Sequence, residues 1–406
     1  MSGFFKLHEI TGSDLDKAYG CGSCELYRTC IHPRMKPHGE GRKGIMILAE
    51  APGEKEDQRG VPLVGDCGLL VRRLLKRNGV DLDLDCVKIN AVACRPPENR
   101  TPTLKEINAC RPRVWDTIQS TNPKVLFLFG GSAVNTFLGH RLKKDVGAIT
   151  RWIGRAIPDQ ETGIWVVPTY HPSFILRNPQ NPVVEMMFEE HLQLGIKLSQ
   201  SDNFPDFGNE ESKIKVLTKK SDIVDYLIDI LDRKPEALSI DYETSGLKPH
   251  APGHFIECAS IAESGDEGYA FPFYPDIKKY WVKILRDKQI GKMAHNMKFE
   301  DTWSYHILGT RVFNWVWDSM IAAHVLDNRP HVCGLKFQAY VNFGIVDYDS
   351  YISKYLSAGG RKSSANDFNR VRKANRMKLL TYCGMDSMLE HRLATIQMNT
   401  LERGWE

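Results

Sequence analysis

The sequence predicts an α/β protein of two domains, and three observations carry that reading. At 406 residues the chain exceeds what one hydrophobic core usually serves, so two domains of about 200 residues are expected. In the first half, strand-like apolar runs alternate with helical segments, the pattern of a parallel α/β/α sheet. In the second half several strands come first and helices follow, the pattern of a mixed sheet with helices. The expected boundaries are 1–198 for the first domain, 199–212 for a polar linker holding both Pro and Gly, and 213–406 for the second.

Taken in order, segments 44–48, 88–92, 124–129 and 165–168 read as strands, each a short apolar run. Segments 69–78, 104–120 and 132–138 between them read as helices. Beyond the linker, 237–240, 258–262 and 267–273 read as strands, and the Gly-rich, basic segment 359–366 as a loop. Hydrophobic residues make up 42% of the chain and charged ones 26%, ordinary values for a globular protein. No apolar run approaches the roughly 18 residues of a membrane span, and no signal-peptide core opens the chain. A cytoplasmic location and no membrane partner are therefore expected. The net charge of +4 is carried by the first half, which favours a polyanion-binding surface there.

Seven of the ten cysteines fall before residue 111, and a disulfide scaffold is out of place in a large chain with no secretion signal. Cys21 and Cys24 form a C-x2-C pair, and Cys94 and Cys110 a C-x15-C pair. Four thiolates suit either a [4Fe–4S] cluster or a tetrahedral zinc, and spacing alone leaves both open. Between the pairs, segment 48–57 (LAEAPGEKED) is an apolar run ending in an acid-rich turn, and 94–100 reads CRPPENR. Later, 166–172 (VVPTYHP) delivers a histidine to the end of a strand.

This ordered set resembles the iron–sulfur uracil-DNA glycosylases of family 4 over about the first 195 residues. The resemblance implies a uracil-DNA glycosylase-like sandwich, excision of uracil from DNA, and a [4Fe–4S] cluster on Cys21, Cys24, Cys94 and Cys110. It further implies that Asn90 reads uracil, that His171 stabilises charge at uracil O2, and that Glu50 and Glu56 position or activate water. The segment 172–177 matches the wedge that fills the gap left by a flipped base, and Leu63 and Asn99 fall among the substrate contacts. Two departures stand out: Leu63 replaces the family's stacking Phe, which could forfeit ~1–3 kcal/mol of base binding, and Ala49 replaces a Gly. Slow excision preferring single-stranded DNA is expected; the alternative is a uracil sensor that does not excise.

In the second half, Asp241 and Glu243 stand at i and i+2 on an expected strand and share one face. The block 294–301 (AHNMKFED) ends in an acid pair, and Tyr382 and Asp386 share one helical face. The order D-x-E, N-x-K-F-acid, Y-x3-D resembles the 3′–5′ proofreading exonuclease domain of family A DNA polymerases, a DEDD nuclease with tyrosine in its last motif. That resemblance implies an RNase H-like mixed sheet and two Mg2+ or Mn2+ ions on Asp241, Glu243 and Asp386, since hard cations require oxygen ligands. Tyr382 would orient the attacking water, Asn296 would contact substrate, and Glu300 fills the slot of the middle acid, with Asp301 the shifted alternative. Asp318 matches a position that supports the fold. With no polymerase segment expected after the exonuclease, the partners expected are DNA (single strands, 3′ ends and uracil-containing sites) and a separately encoded DNA polymerase. Such a fusion is typical of bacteriophage genes, which would place it in a bacterial host's cytoplasm.

Overall fold

The computed structural model describes residues 20–143, 146–346, 348–358 and 364–402. The chain divides into two compact units, Met1–Asp206 and Phe207–Glu406, each with its own sheet and core. Residues 359–363 of the expected basic loop lie outside the described residues.

In the first unit, strands β1 (Ile45–Ala49), β2 (Cys86–Asn90), β3 (Val125–Phe129), β4 (Ile157–Asp159) and β5 (Ile164–Thr169) form one sheet in the order β2-β1-β3-β5-β4. β2, β1, β3 and β5 run parallel, and β4 pairs antiparallel with β5. The parallel strands are almost wholly buried, which is why they read as unbroken apolar runs rather than alternating ones. β4 corrects the expectation of a wholly parallel sheet; three residues are too few for a period to show. Around the sheet lie α1 (Cys21–Cys24), α2 (Glu54–Arg59), α3 (Asp66–Arg77), α4 (Leu104–Thr121), α5 (Gly130–Leu142), α6 (Pro172–Arg177) and α7 (Pro182–Ser199). Ile45, Ile47, Phe127 and Phe129 of the sheet pack with Val71 and Leu74 of α3 and Phe188 and Leu192 of α7. The start of α4 is set by a reciprocal cap: the Glu106 amide donates to the Thr103 hydroxyl at 3.3 Å, and the Thr103 amide to the Glu106 carboxylate at 2.7 Å.

In the second unit, β6 (Ile214–Val216), β7 (Ala237–Thr244), β8 (Ile256–Ala262), β9 (Gly268–Pro272), β10 (Gly291–Ala294) and β11 (Trp315–Asp318) form a sheet in the order β11-β10-β7-β8-β9-β6. β7, β8 and β9 form an antiparallel meander, β10 and β11 run parallel to β7, and β6 runs parallel to β9. This is the RNase H-like mixed sheet, with β7 at its centre. The longer helices are α8 (Lys220–Arg233), α9 (Lys278–Arg286), α10 (Met297–Trp303), α11 (Ser319–Leu326), α12 (Leu335–Phe343) and α13 (Arg376–Glu402), with one further turn at Ser353–Leu356. Trp281 and Trp303 are fully buried beneath β7 with Ile240 and Tyr242. Within the stretch expected as a linker, Glu210 is buried and accepts from Arg392 of α13 at 2.6 Å, and Phe207 packs edge-on against Phe343 of α12.

Candidate functional site

In the first unit the sheet order reverses direction at β1: β2 lies on one side and β3 on the other. Open α/β sheets bind ligands outside the carboxyl ends of their strands at such a switch point. Three expected site residues arrive there. Ala49 pairs with Asn90, and Phe129 with Thr169, so Glu50, Asn90 and His171 stand at the ends of β1, β2 and β5. Asn90 is buried, and its carbonyl accepts from Arg113 at 2.8 Å. The Glu50 carboxylate accepts from the Ser132 hydroxyl at 2.8 Å, which aims it from the first turn of α5.

His171 caps α6. Its Nδ1 accepts from the Ser173 amide at 3.2 Å and lies 2.8 Å from the Ser173 hydroxyl. An amide can only donate, so Nδ1 carries a lone pair there and the proton sits on Nε2. Burial, and then the nearby Arg177 charge, lower the imidazole to about 4, so it is neutral at physiological pH. Gly130 makes room for it. Its φ is +86°, and a Cβ there would fall 2.9 Å from the His171 Cβ.

Glu56 is placed differently from Glu50. It is buried on α2, and its Oε1 accepts from the amides of Gly65 at 2.7 Å and Val64 at 3.1 Å, pinning the loop that carries Leu63. Leu63 has φ +55° and is 6% exposed, packed with the core that includes Ala49 and Leu70. That loop sits tight against α3, since a Cβ at Gly68 would fall 1.9 Å from the Leu63 carbonyl oxygen. Asn99 is exposed, with φ +55°, and accepts from Arg95 at 2.8 Å. Phe174 and Leu176 of α6 stand exposed at 38% and 43%.

The four expected cysteines line one cavity of about 830 Å3 with Leu26, Tyr27 and Arg113. Cys94 and Cys110 are buried, and Cys21 and Cys24 partly so. Burial pushes the Cys94 thiol up to about 12, so a thiolate there needs a positive partner. The Arg34 amide donates to Cys94 Sγ at 3.3 Å. Asp57, which sequence reasoning passed over, accepts from the amides of Ile31 at 3.0 Å and His32 at 2.9 Å and so ties the cysteine-bearing segment to α2.

In the second unit Asp241 and Glu243 of β7 meet Asp386 of α13, with one carboxylate oxygen of each lying within 4.8 Å of the others. Burial, then the charge of Asp386, raise Asp241 well above the usual carboxylate range; burial, then Asp241, do the same to Glu243. Glu300 of α10 is 2% exposed, and burial followed by Asp241 raises it too. Asp301, its neighbour, is turned elsewhere: it accepts from Arg311 at 2.5 Å and from the Val312 amide at 2.9 Å. Tyr382 is buried one helical turn before Asp386, and burial keeps its phenol protonated. Asp318 caps α11, accepting from Met320 at 2.9 Å, and also binds the amides of Asn296 at 3.1 Å and Met297 at 3.0 Å. Asn296, at φ +77°, is thereby fixed before α10. Lys336 and Tyr348 were missed by sequence reasoning. Both bond Asp386, Tyr348 at 2.8 Å, and no motif around either announces it.

Residues 37–193 match the uracil DNA glycosylase superfamily profile. The type-4 uracil-DNA glycosylase of Thermotoga maritima is 36% identical over 190 residues, 46% of this chain and 91% of that protein. A DNA polymerase of Bacillus phage SP01 is 24% identical over 335 residues, 73% of this chain and 34% of that protein. Among solved structures, Brucella melitensis NrnC is similar at a TM-score of 0.35 and 20% identity, covering 47% of this chain and 82% of that one.

Proposed function

The chain belongs to the uracil-DNA glycosylase superfamily, and from that premise we propose a DNA-processing protein with two hydrolytic centres, a uracil-DNA glycosylase in the first unit and a 3′–5′ exonuclease in the second. One observation carries the first reading: Glu50, Asn90 and His171 converge at the ends of three parallel strands of a doubly wound sheet. The Asn90 amide offers both a donor and an acceptor to the N3–H and O4 edge of uracil. A target base must leave the helix to reach it, and the exposed Phe174 and Leu176 suit the gap left behind. As the glycosidic bond breaks, charge grows on uracil O2, where the neutral His171 donates from Nε2 without carrying a charge of its own. Glu50, aimed by Ser132, opposes the cationic sugar or holds the incoming water. Glu56 serves this centre by fixing the Leu63 loop.

Cys21, Cys24, Cys94 and Cys110 would hold the [4Fe–4S] cluster. The donor set fits: the four cysteines line one cavity, and four thiolates suit such a cluster. Its contribution would be structural, four covalent ties between the N-terminal segment and the 94–100 loop.

Asp241, Glu243 and Asp386 would hold the divalent ions, and the fit is again chemical: buried oxygens that repel one another call for a cation. Such ions supply Lewis acidity for phosphodiester hydrolysis. Tyr382 keeps its proton and can orient the attacking water, and Glu300 is the acid facing Asp241. The likeness to part of a DNA polymerase supports DNA as the substrate of this centre and a replicative setting.

The deciding experiment is excision from a uracil oligonucleotide by the Asp241→Ala/Glu243→Ala variant, which removes digestion. Abasic product that disappears on adding His171→Ala supports the glycosylase. Uracil-selective binding without abasic product under single-turnover conditions favours the sensor reading, to which the buried Leu63 lends weight because it offers no stacking face.

A further inference from the structure

A positive charge is built into the carboxylate centre of the second unit. Lys336 lies in the first turn of α12, and its ammonium bonds Asp386 Oδ1 and the Tyr348 hydroxyl, the latter at 2.9 Å. It stands 4.1 Å from the centre of the Tyr348 ring and 4.3 Å from that of Tyr382, so two aromatic faces confine it. The Tyr348 hydroxyl donates to the same oxygen, Asp386 Oδ1, at 2.8 Å.

A carboxylate oxygen presents two lone-pair positions, and on Asp386 Oδ1 both are taken. Only Oδ2 remains for a metal ion. Bidentate ligation by Asp386 would require Lys336 or Tyr348 to let go. An ammonium fixed on a ligand oxygen also repels a divalent cation approaching the other one.

We propose that Lys336 competes with divalent metal for Asp386, holding the carboxylate in place while weakening the site's grip on the ion. This rests on the exonuclease reading of the centre. Lys336 is then a positioning residue that makes metal occupancy depend on the free ion concentration. Tyr348 shares the positioning but not the charge.

Direct Mn2+ binding to the full-length, cluster-loaded protein tests this, with free Mn2+ followed by electron paramagnetic resonance. Lys336→Met should bind Mn2+ at least tenfold more tightly than wild type while digesting single-stranded DNA more slowly. Lys336→Arg and Tyr348→Phe, which keep the charge, should change Mn2+ affinity less than threefold. If the methionine variant does not fold, Lys336→Gln, which keeps a donor to Asp386 and loses the charge, is read in the same way. Equal or weaker Mn2+ binding in the charge-loss variant overturns the inference. Wild-type protein that binds no Mn2+ would instead sink the exonuclease reading itself.

Discussion

If His171 works as a neutral donor, acid should leave excision untouched well below the usual histidine range. Burial and Arg177 place the imidazole at about 4, against an ordinary value near 6.5. At pH 5.5 about 3% of His171 would then be protonated, where an unperturbed histidine would be about 90% protonated. The perturbation is pH, and the assay is single-turnover excision by Asp241→Ala/Glu243→Ala from pH 8 to pH 4.5. The His171-dependent part of the rate should change by less than about 10% down to pH 5.5, because only the neutral fraction counts. A several-fold loss with a midpoint near 6.5, absent in His171→Gln, would refute the tautomer argument. Stability gives a second reading with its own sign. A folded-state value below the unfolded one means that protons favour the unfolded chain, so stability is full above ~6.5 and falls as pH drops toward about 4. The largest loss is on the order of 3 kcal/mol, reduced by the partial exposure of the ring. His171→Gln should therefore melt higher than the parent at pH 4.5 and no higher at pH 7.5.

Other outcomes can be checked alongside. Gly130→Ala puts a methyl 2.9 Å from the His171 Cβ and an L-residue at φ +86°; at ~1–2 kcal/mol for the backbone alone, Tm should fall and excision should drop at least tenfold. Glu300→Gln should depress nuclease turnover at least a hundredfold and raise the Tm of metal-free protein at alkaline pH, since it removes a buried acid whose ionisation is disfavoured by burial and by Asp241. Asp301→Asn should cost stability through Arg311 and Val312 and leave most of the turnover. Cys94→Ser should give protein with reduced iron content and lost absorbance near ~400 nm, with the nuclease unaffected; full iron content in that variant would remove Cys94 from the ligand set.

Much of the chemistry could be read without coordinates because it is written as local patterns. Alternating β/α periodicity followed by a strand-rich run yielded both sheet types, and the acids of β7 and α13 carry spacings that place them on one face of a strand or helix. Short strands escaped: β4, β6, β10 and β11 span three or four residues, below the length at which a period can be counted. The choice between Glu300 and Asp301 also lay beyond the sequence. Adjacent residues on a helix differ by about 100° in direction, and only the packing of α10 against β7 shows which of the two faces Asp241.

What the sequence determined by itself is the inventory of groups and the strand ends that carry them: four cysteines, an asparagine and a histidine closing apolar runs, and an ordered set of acids. What only the tertiary structure decided is the state and aim of those groups. The double occupation of Asp386 Oδ1 depends on Lys336 and Tyr348, 50 and 38 residues away, and the placing of Glu300 depends on Asp241, on a strand far back in the chain. Such bonds are set by how elements pack across a core, and packing leaves no short-range periodicity for a sequence to show.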